Sequence, residues 1–420
     1  MLKFFKWFFS LFSPYVNSFE RKVDKFFRSV KSTDGLSKIK RKLLSLMQED
    51  LVITNVWLEK KFKGYLYLSK SVRRQMYLDK LAIVASFESF CESNPVDLSM
   101  VKADLSAKGL TFPSGDEKKL EHLAKVMAFL QPGKYYNYIK TASFGKLLRD
   151  PRKNKLEGDC NQIVTLYIYL FSLKFPLELL NIKLLPEHVC LHYRGIDIEA
   201  TNATFQKYID SKDVLPVSEI ISTNLLDLSD FREEVQHISP RVMVKSAQLA
   251  YAISSLKPLV SKNLNIAYRN LGVSAMNSND FKTAVFFLSK AGDSDVLATA
   301  YHNAAIYYLK VNNFKKAKYF ARQSSDRKLE KSISYNEGVY YYKRNNTAKA
   351  LGIFTTLGDE GMKKACYSKD YNKLQKKVSN VKTLADVKKY KSTYKKMLAL
   401  AQKMGDSTLT SSLRDTLSKV

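Results

Sequence analysis

The alternation of apolar and polar positions changes rhythm several times along this chain. From about residue 16 to 131, apolar residues recur every three or four positions. In 116–131, Leu120, Leu123, Val126, Met127 and Leu130 share one face, and 78–93 follows the same rule, so both predict amphipathic helices. Gln131-Pro132-Gly133 stops the second of them. A basic, turn-rich run covers 145–158. Residues 161–175 are apolar on nearly every face, which predicts a helix buried on all sides and ended by Pro176. Residues 179–185 read as a short strand, and 188–201 alternate about Arg194-Gly195, which predicts a β-hairpin.

From residue 264 the pattern repeats with a period of 33: Leu271-Gly272, Ala304-Ala305 and Glu337-Gly338; Phe281, Phe314 and Thr347; Ala284, Ala317 and Ala350. Polar turns at Asn279-Asp280, Asn312-Asn313 and Asn345-Asn346 precede the second helix of each unit. Small residues at matched positions let paired helices approach closely, and three such units predict a helical solenoid. The pattern Leu271-Gly272…Ala284…Ala291 resembles the tetratricopeptide repeat.

The chain is 420 residues long, so more than one domain is expected. The domains expected are an aromatic and basic segment (1–15), a helical N-terminal region (16–114), an α+β domain (115–215), a helical linker (216–262), helical repeats (263–360) and a basic helical cap (361–420). The net charge of +29 changes the picture of partners. A basic surface favours acidic proteins, anionic membrane or nucleic acid, and no nucleic-acid recognition motif is present. The expected partner is therefore an acidic protein or peptide held by the repeats. Residues 1–13 interleave Phe and Trp with Lys, are too short to span a bilayer, and suit peripheral contact with a membrane surface. Cys91, Cys160, Cys190 and Cys366 form no CxxC pair, which points to a reducing compartment and a cytoplasmic protein.

One constellation suggests chemistry. Asp159 and Gln162 have capping-box spacing, so Cys160 opens the buried helix. Helix N-termini carry partial positive charge and unpaired N–H groups, which favour a thiolate and can stabilise an oxyanion. Gly158 allows a sharp turn there and clears space for a substrate backbone. If Arg194-Gly195 is a two-residue turn, His192 faces Asp197, Cys190 faces Glu199 and His188 faces Thr201, and all six project to one side. Glu199 is then the diagonal neighbour of His188, while Asp197 belongs to His192. Cys160 is the candidate nucleophile, His188 its base and Glu199 the acid that orients the base. Gly158, Asp159, Asp197 and His192 support them. His188, Cys190 and His192 lie about 7 Å apart in turn along one strand, which is long for ligands of one zinc at ~2.0–2.3 Å. No metal or cofactor is expected, and His122, His237 and His302 read as ordinary.

At these residues the chain resembles the transglutaminase-like superfamily, whose domains have a papain-type cysteine fold. Gly158-Asp159-Cys160 matches the element that opens the core helix, His188-Val189 the strand that begins with histidine, and Glu199-Ala200-Thr201 the strand that usually carries aspartate. The resemblance covers roughly residues 115–210. It implies an α+β domain followed by an all-α tetratricopeptide-like domain, and a cysteine-dependent amide-bond enzyme (peptidase, amidase or transamidase). The rival expectation is a non-catalytic scaffold whose repeats carry the function.

Overall fold

The computed structural model describes residues 13–30, 35–141, 143–209, 214–226 and 238–420. Residues 1–12 of the N-terminal aromatic segment, and His237, therefore lie outside the described residues. The chain divides between Leu271 and Gly272 into two compact units. It is mostly helical, with one small antiparallel sheet. Among the described residues, no helix is long and apolar enough to cross a membrane.

The first unit begins with α1 (Ser18–Ser29), α2 (Leu36–Leu58), α3 (Lys70–Ser93), α4 (Leu98–Ala107) and α5 (Glu117–Phe129). Strand β1 (Tyr136–Tyr138), the single turn α6 (Phe144–Leu147) and β2 (Leu156–Gly158) lead to α7 (Cys160–Ser172). Tyr138 stands opposite Gly158 in the parallel β1–β2 pair. A five-stranded antiparallel sheet follows: β3 (Asn181–Leu185), β4 (His188–Tyr193), β5 (Ile196–Glu199), β6 (Thr204–Gln206) and β7 (Val214–Pro216), in the order β6-β5-β4-β3-β7. Helices α8 (Glu219–Leu226) and α9 (Pro240–Ile253) complete it, and α10 (Lys257–Asn277) runs past Leu271.

The all-round apolar helix is central, as its composition demands. Ile163, Val164, Leu166, Ile168, Leu170 and Phe171 of α7 are fully buried between strand β4 and helices α2, α5 and α8. Each such side chain contributes about 1.5–3 kcal/mol of burial, so truncating Leu166 to Ala should cost ~2–5 kcal/mol. The helix ends at Ser172, ahead of Pro176, because Lys174 and Phe175 turn back onto the Phe171 carbonyl. A short 3₁₀ turn, Leu177–Leu179, takes the start of the expected strand.

The domain boundaries expected at 115, 216 and 263 are not seams in this structure. One core runs from Val23 and Phe27 through α2, α7 and the sheet to Leu249 and Ile253. The helices before residue 115 and after 216 therefore share the sheet's core rather than standing apart. Amphipathic spacing shows that a helix buries a face, but not which element it buries that face against.

The second unit pairs α11 (Phe281–Ala291), α12 (Ser294–Lys310), α13 (Phe314–Gln323), α14 (Arg327–Lys343), α15 (Thr347–Leu357) and α16 (Glu360–Lys377) in sequence. Asp280, Asn313 and Asn346 cap the first series of helices, each after an asparagine of positive φ (Asn279, Asn312, Asn345). Asp293, Asp326 and Asp359 cap the second series at the same 33-residue step. A Cβ on Gly272 would lie 2.6 Å from Leu288, and one on Gly338 would lie 2.7 Å from Phe354, so these small residues set the helix spacing. The chain ends with α17 (Leu384–Lys389), α18 (Lys391–Met404) and α19 (Ser407–Ser418).

Candidate active site

Asp159 closes the N-terminus of α7. Its carboxylate accepts the Asn161 N–H at 3.0 Å, and its own N–H donates to the Gln162 side chain at 3.3 Å, which completes a capping box. Cys160 is thereby fixed at the first helical position. Gly158 serves another purpose than the one expected from its place in the sequence. It has no left-handed φ, and a Cβ there would lie 3.0 Å from Gln162 and 3.2 Å from Leu147. The space it leaves is filled by the protein's own side chains, not kept for a substrate.

The hairpin turns on two left-handed residues, Arg194 (φ 44°) and Gly195 (φ 86°), as a two-residue hairpin with matching twist requires. Tyr193 pairs with Ile196, His192 with Asp197 and Leu191 with Ile198. The register brings His188, at the start of β4, to Glu199, at the end of β5. His188 Nε2 and Glu199 Oε2 are 2.6 Å apart. Cys160 is the largest influence on the same imidazole, and Nε2 is the ring nitrogen engaged by Glu199. Cys160, His188 and Glu199 are thus brought together, with Cys160 9% and the His188 side chain 27% exposed.

Every lone-pair direction of Glu199 is used. Oε1 accepts the N–H and hydroxyl of Thr201 at 3.0 and 2.5 Å, and Oε2 accepts from His188 and from the Tyr208 hydroxyl at 2.8 Å. Burial pushes this carboxyl up, but the hydrogen bonds from His188 and Thr201 outweigh it and hold it down at about 2. His188 is raised to about 10 by its hydrogen bonds to Cys160 and Glu199, against the opposing effect of burial. Both partners favour the protonated ring.

The second pair is built differently. His192 Nδ1 lies 2.6 Å from Asp197 Oδ1, and His192 Nε2 accepts the Gly195 N–H at 3.1 Å. Both ring nitrogens are engaged, with the proton on Nδ1. Asp197 also accepts from the buried Lys183 ammonium at 2.9 Å and from the Tyr208 N–H at 2.7 Å. His192 and Asp197 therefore clamp the turn of the hairpin. Cys190 stands between the two pairs, fully buried, and its thiol is pushed up to about 12 by burial and by Asp197 and Glu199.

Lys183, Tyr208 and Tyr138 were not expected from the sequence. Lys183 sits opposite Cys190 on β3. Tyr208 lies beyond β6, where the chain returns across the polar face of the sheet, and no local pattern signals it. Tyr138 is 54% exposed, and burial, followed by the nearby Asp159, Cys160 and Glu199, raises its hydroxyl. The remaining described histidines lie elsewhere: His122 is buried among Phe87, Phe171 and Phe175 with Nε2 3.0 Å from the Leu170 carbonyl oxygen, and His302 pairs with Asp326 at 3.3 Å. Among the described residues, no three His, Cys, Asp or Glu side chains converge as metal ligands.

A thiol at a helix N-terminus, an imidazole against it and a carboxylate fixing the imidazole are the parts that nucleophilic acyl transfer requires. No protein-family model matches the sequence, and no curated protein matches it.

Proposed function

We propose that this protein is a cysteine-dependent amide-bond enzyme with a transglutaminase-like, papain-type catalytic domain. The observation that carries the reading is the set Cys160–His188–Glu199, with the carboxylate 2.6 Å from His188 Nε2 and Cys160 the largest influence on the ring. In the first half-reaction the Cys160 proton passes to His188, and the resulting thiolate attacks the amide carbonyl carbon. A C–S bond forms, and the carbonyl electrons move to oxygen, where the Cys160 backbone N–H is a donor. The oxyanion collapses, the C–N bond breaks, and His188 gives its proton to the departing nitrogen. A thioester and a neutral imidazole remain. His188 then takes a proton from an incoming water or amine as it attacks the thioester. The C–S bond breaks, and the thiolate and imidazolium are restored. Glu199 stays ionised throughout and holds the ring in one tautomer.

Residues 263–360 are read as tetratricopeptide-like helical pairs that hold a protein or peptide, and their basic surroundings suit an acidic one. Residues 1–13 suit a membrane surface, and four free cysteines suit a reducing cytoplasm.

The low exposure of Cys160 favours a second reading, a scaffold that keeps the constellation without turnover. Trapping decides between the two. Activated peptide esters and amides should leave one acyl group on Cys160, detected by intact and peptide mass, released by hydroxylamine and missing from Cys160→Ala. Addition of a primary amine separates hydrolysis from transamidation. A folded protein that forms no adduct with any of these acyl donors would establish the scaffold.

A further inference from the structure

We propose that the groove between α16 and α18 docks an acidic peptide segment carrying aliphatic side chains. The inference deepens the reading of the second unit as a partner-holding domain.

The groove arises from an irregularity in the repeat. The glycine–aspartate turns Gly358-Asp359 and Gly405-Asp406 both cap helices, yet they lie 47 residues apart, 14 more than the repeat period. Helices α16 and α18 nevertheless pack as the two helices of a fourth unit, and α18 packs on α19 in turn. Met397 and Ala401 hold the buried positions that Ala350 and Phe354 hold one unit earlier. The extra residues form the loop and short helix α17 between the paired helices. Alongside lies a cavity of about 440 Å³ walled by Lys373, Leu374 and Lys377 of α16 and by Lys396, Ala399 and Leu400 of α18.

Charge identifies what fits it. Residues 272–420 contain 28 Lys and Arg against 12 Asp and Glu. Five of those acids, Asp280, Asp293, Asp326, Asp359 and Asp406, cap helices. Four others pair with Lys or Arg elsewhere. Asp370, the one acid on the groove wall, accepts the Thr347 hydroxyl at 2.7 Å. Lys373, Lys377 and Lys396 have no ion-pair or hydrogen-bond partner among the described residues. Lys373 and Lys377 are spaced i,i+4 on one helix face, where like charges repel, and Lys396 adds a third cation across the groove. An occupant must therefore bring carboxylates for the rim and apolar groups for Leu374, Ala399 and Leu400. The aliphatic floor offers no ring on which a base could stack, so an acidic peptide fits better than a single-stranded nucleic acid.

The test uses the full chain and a short fluorescein-labelled Asp/Glu peptide containing two leucines, read by anisotropy. Combined Lys373→Glu, Lys377→Glu and Lys396→Glu should weaken binding at least about tenfold. The matched reversal Lys282→Glu, Lys310→Glu and Lys328→Glu, at exposed positions of earlier helices, should change it by less than about threefold. Replacing the probe leucines with serine should weaken binding about fivefold. Circular dichroism verifies that both variants fold. Equal weakening by the two triple variants would overturn the groove but leave a diffuse preference for acidic partners. Tighter binding of a uridine oligonucleotide of equal charge would overturn the choice of peptide. No binding by the unmodified chain would remove the acidic-partner reading as well, with the chemistry at Cys160 unaffected.

Discussion

His188 and His192 stand on one strand, each bonded at 2.6 Å to a carboxylate of the facing strand, Glu199 or Asp197. They differ in what meets the other ring nitrogen and in what balances the acid. His192 gives its second nitrogen to the Gly195 backbone, and Asp197 already has a cation in the buried Lys183. The His188 ring is instead influenced most by Cys160, and the remaining partners of Glu199 are Thr201 and the Tyr208 hydroxyl, which carry no charge. The negative charge at Glu199 is thus offset chiefly by the His188 ring, which Cys160 first and Glu199 second both favour in its protonated form. One sheet face therefore holds a clamp at its turn and, at its open end, the pair to which the proposed function gives proton transfer.

The largest effect expected is the contrast between the two histidines. His188→Ala should slow acyl transfer to Cys160 by about 10²–10⁴-fold, whereas His192→Ala should leave it within a few-fold in the folded protein. Stopped-flow acylation of both variants checks this. The next effect is on stability. Asp197→Asn leaves the Lys183 ammonium buried without its counter-charge and should cost about 3–5 kcal/mol. Glu199→Gln should cost less, because His188 can release its proton. Urea unfolding of the two variants measures the difference.

A third prediction concerns pH. The charged His188 ring stabilises the fold fully below its ordinary value of 6.5, and that contribution is lost as pH rises through about 10. Ionised Glu199 contributes fully above its ordinary 4.5 and is lost as pH falls through about 2. Ring resonances followed by NMR should place the His188 titration near 10. Cys160→Ala should lower it most and Glu199→Gln should also lower it, since these residues remove the two hydrogen bonds that raise it. A His188 that titrates at its ordinary value in the unmodified protein would break the comparison. The smallest effect expected is that of Tyr208→Phe, which removes one hydrogen bond to Glu199 and should cost about 1 kcal/mol in unfolding experiments, with acylation slowed a few-fold.

Much of the site was legible because it is built from local rules. The Asp159–Gln162 spacing alone put Cys160 at a helix start, and Arg194-Gly195 fixed a register that assigned Glu199 to His188 over the nearer Asp197. The 33-residue step was legible for the same reason, since caps and small residues recur at fixed offsets. The missed parts depend on chain paths with no local signature. Tyr208 reaches Glu199 only because β6 joins the sheet edge and the chain then returns across the polar face. Lys183 is one lysine among many until β3 pairs with β4. The fourth repeat was hidden by its 14 extra residues, although the Gly-Asp turns that frame it are plain once the second series of caps is recognised. The shared core of the first unit was not legible, because apolar faces on separate helices do not name their partners.

The most direct test of the account is the site-resolved rate at which a peptidyl electrophile labels the four cysteines at neutral pH, measured by mass spectrometry on the unmodified protein, His188→Ala and His192→Ala. Burial raises the thiols of Cys91, Cys190 and Cys366, so Cys160 should be labelled far faster than the other three. His188→Ala should abolish that lead and His192→Ala should preserve it. Uniformly slow labelling of all four cysteines, or equal loss in the two histidine variants, would contradict it.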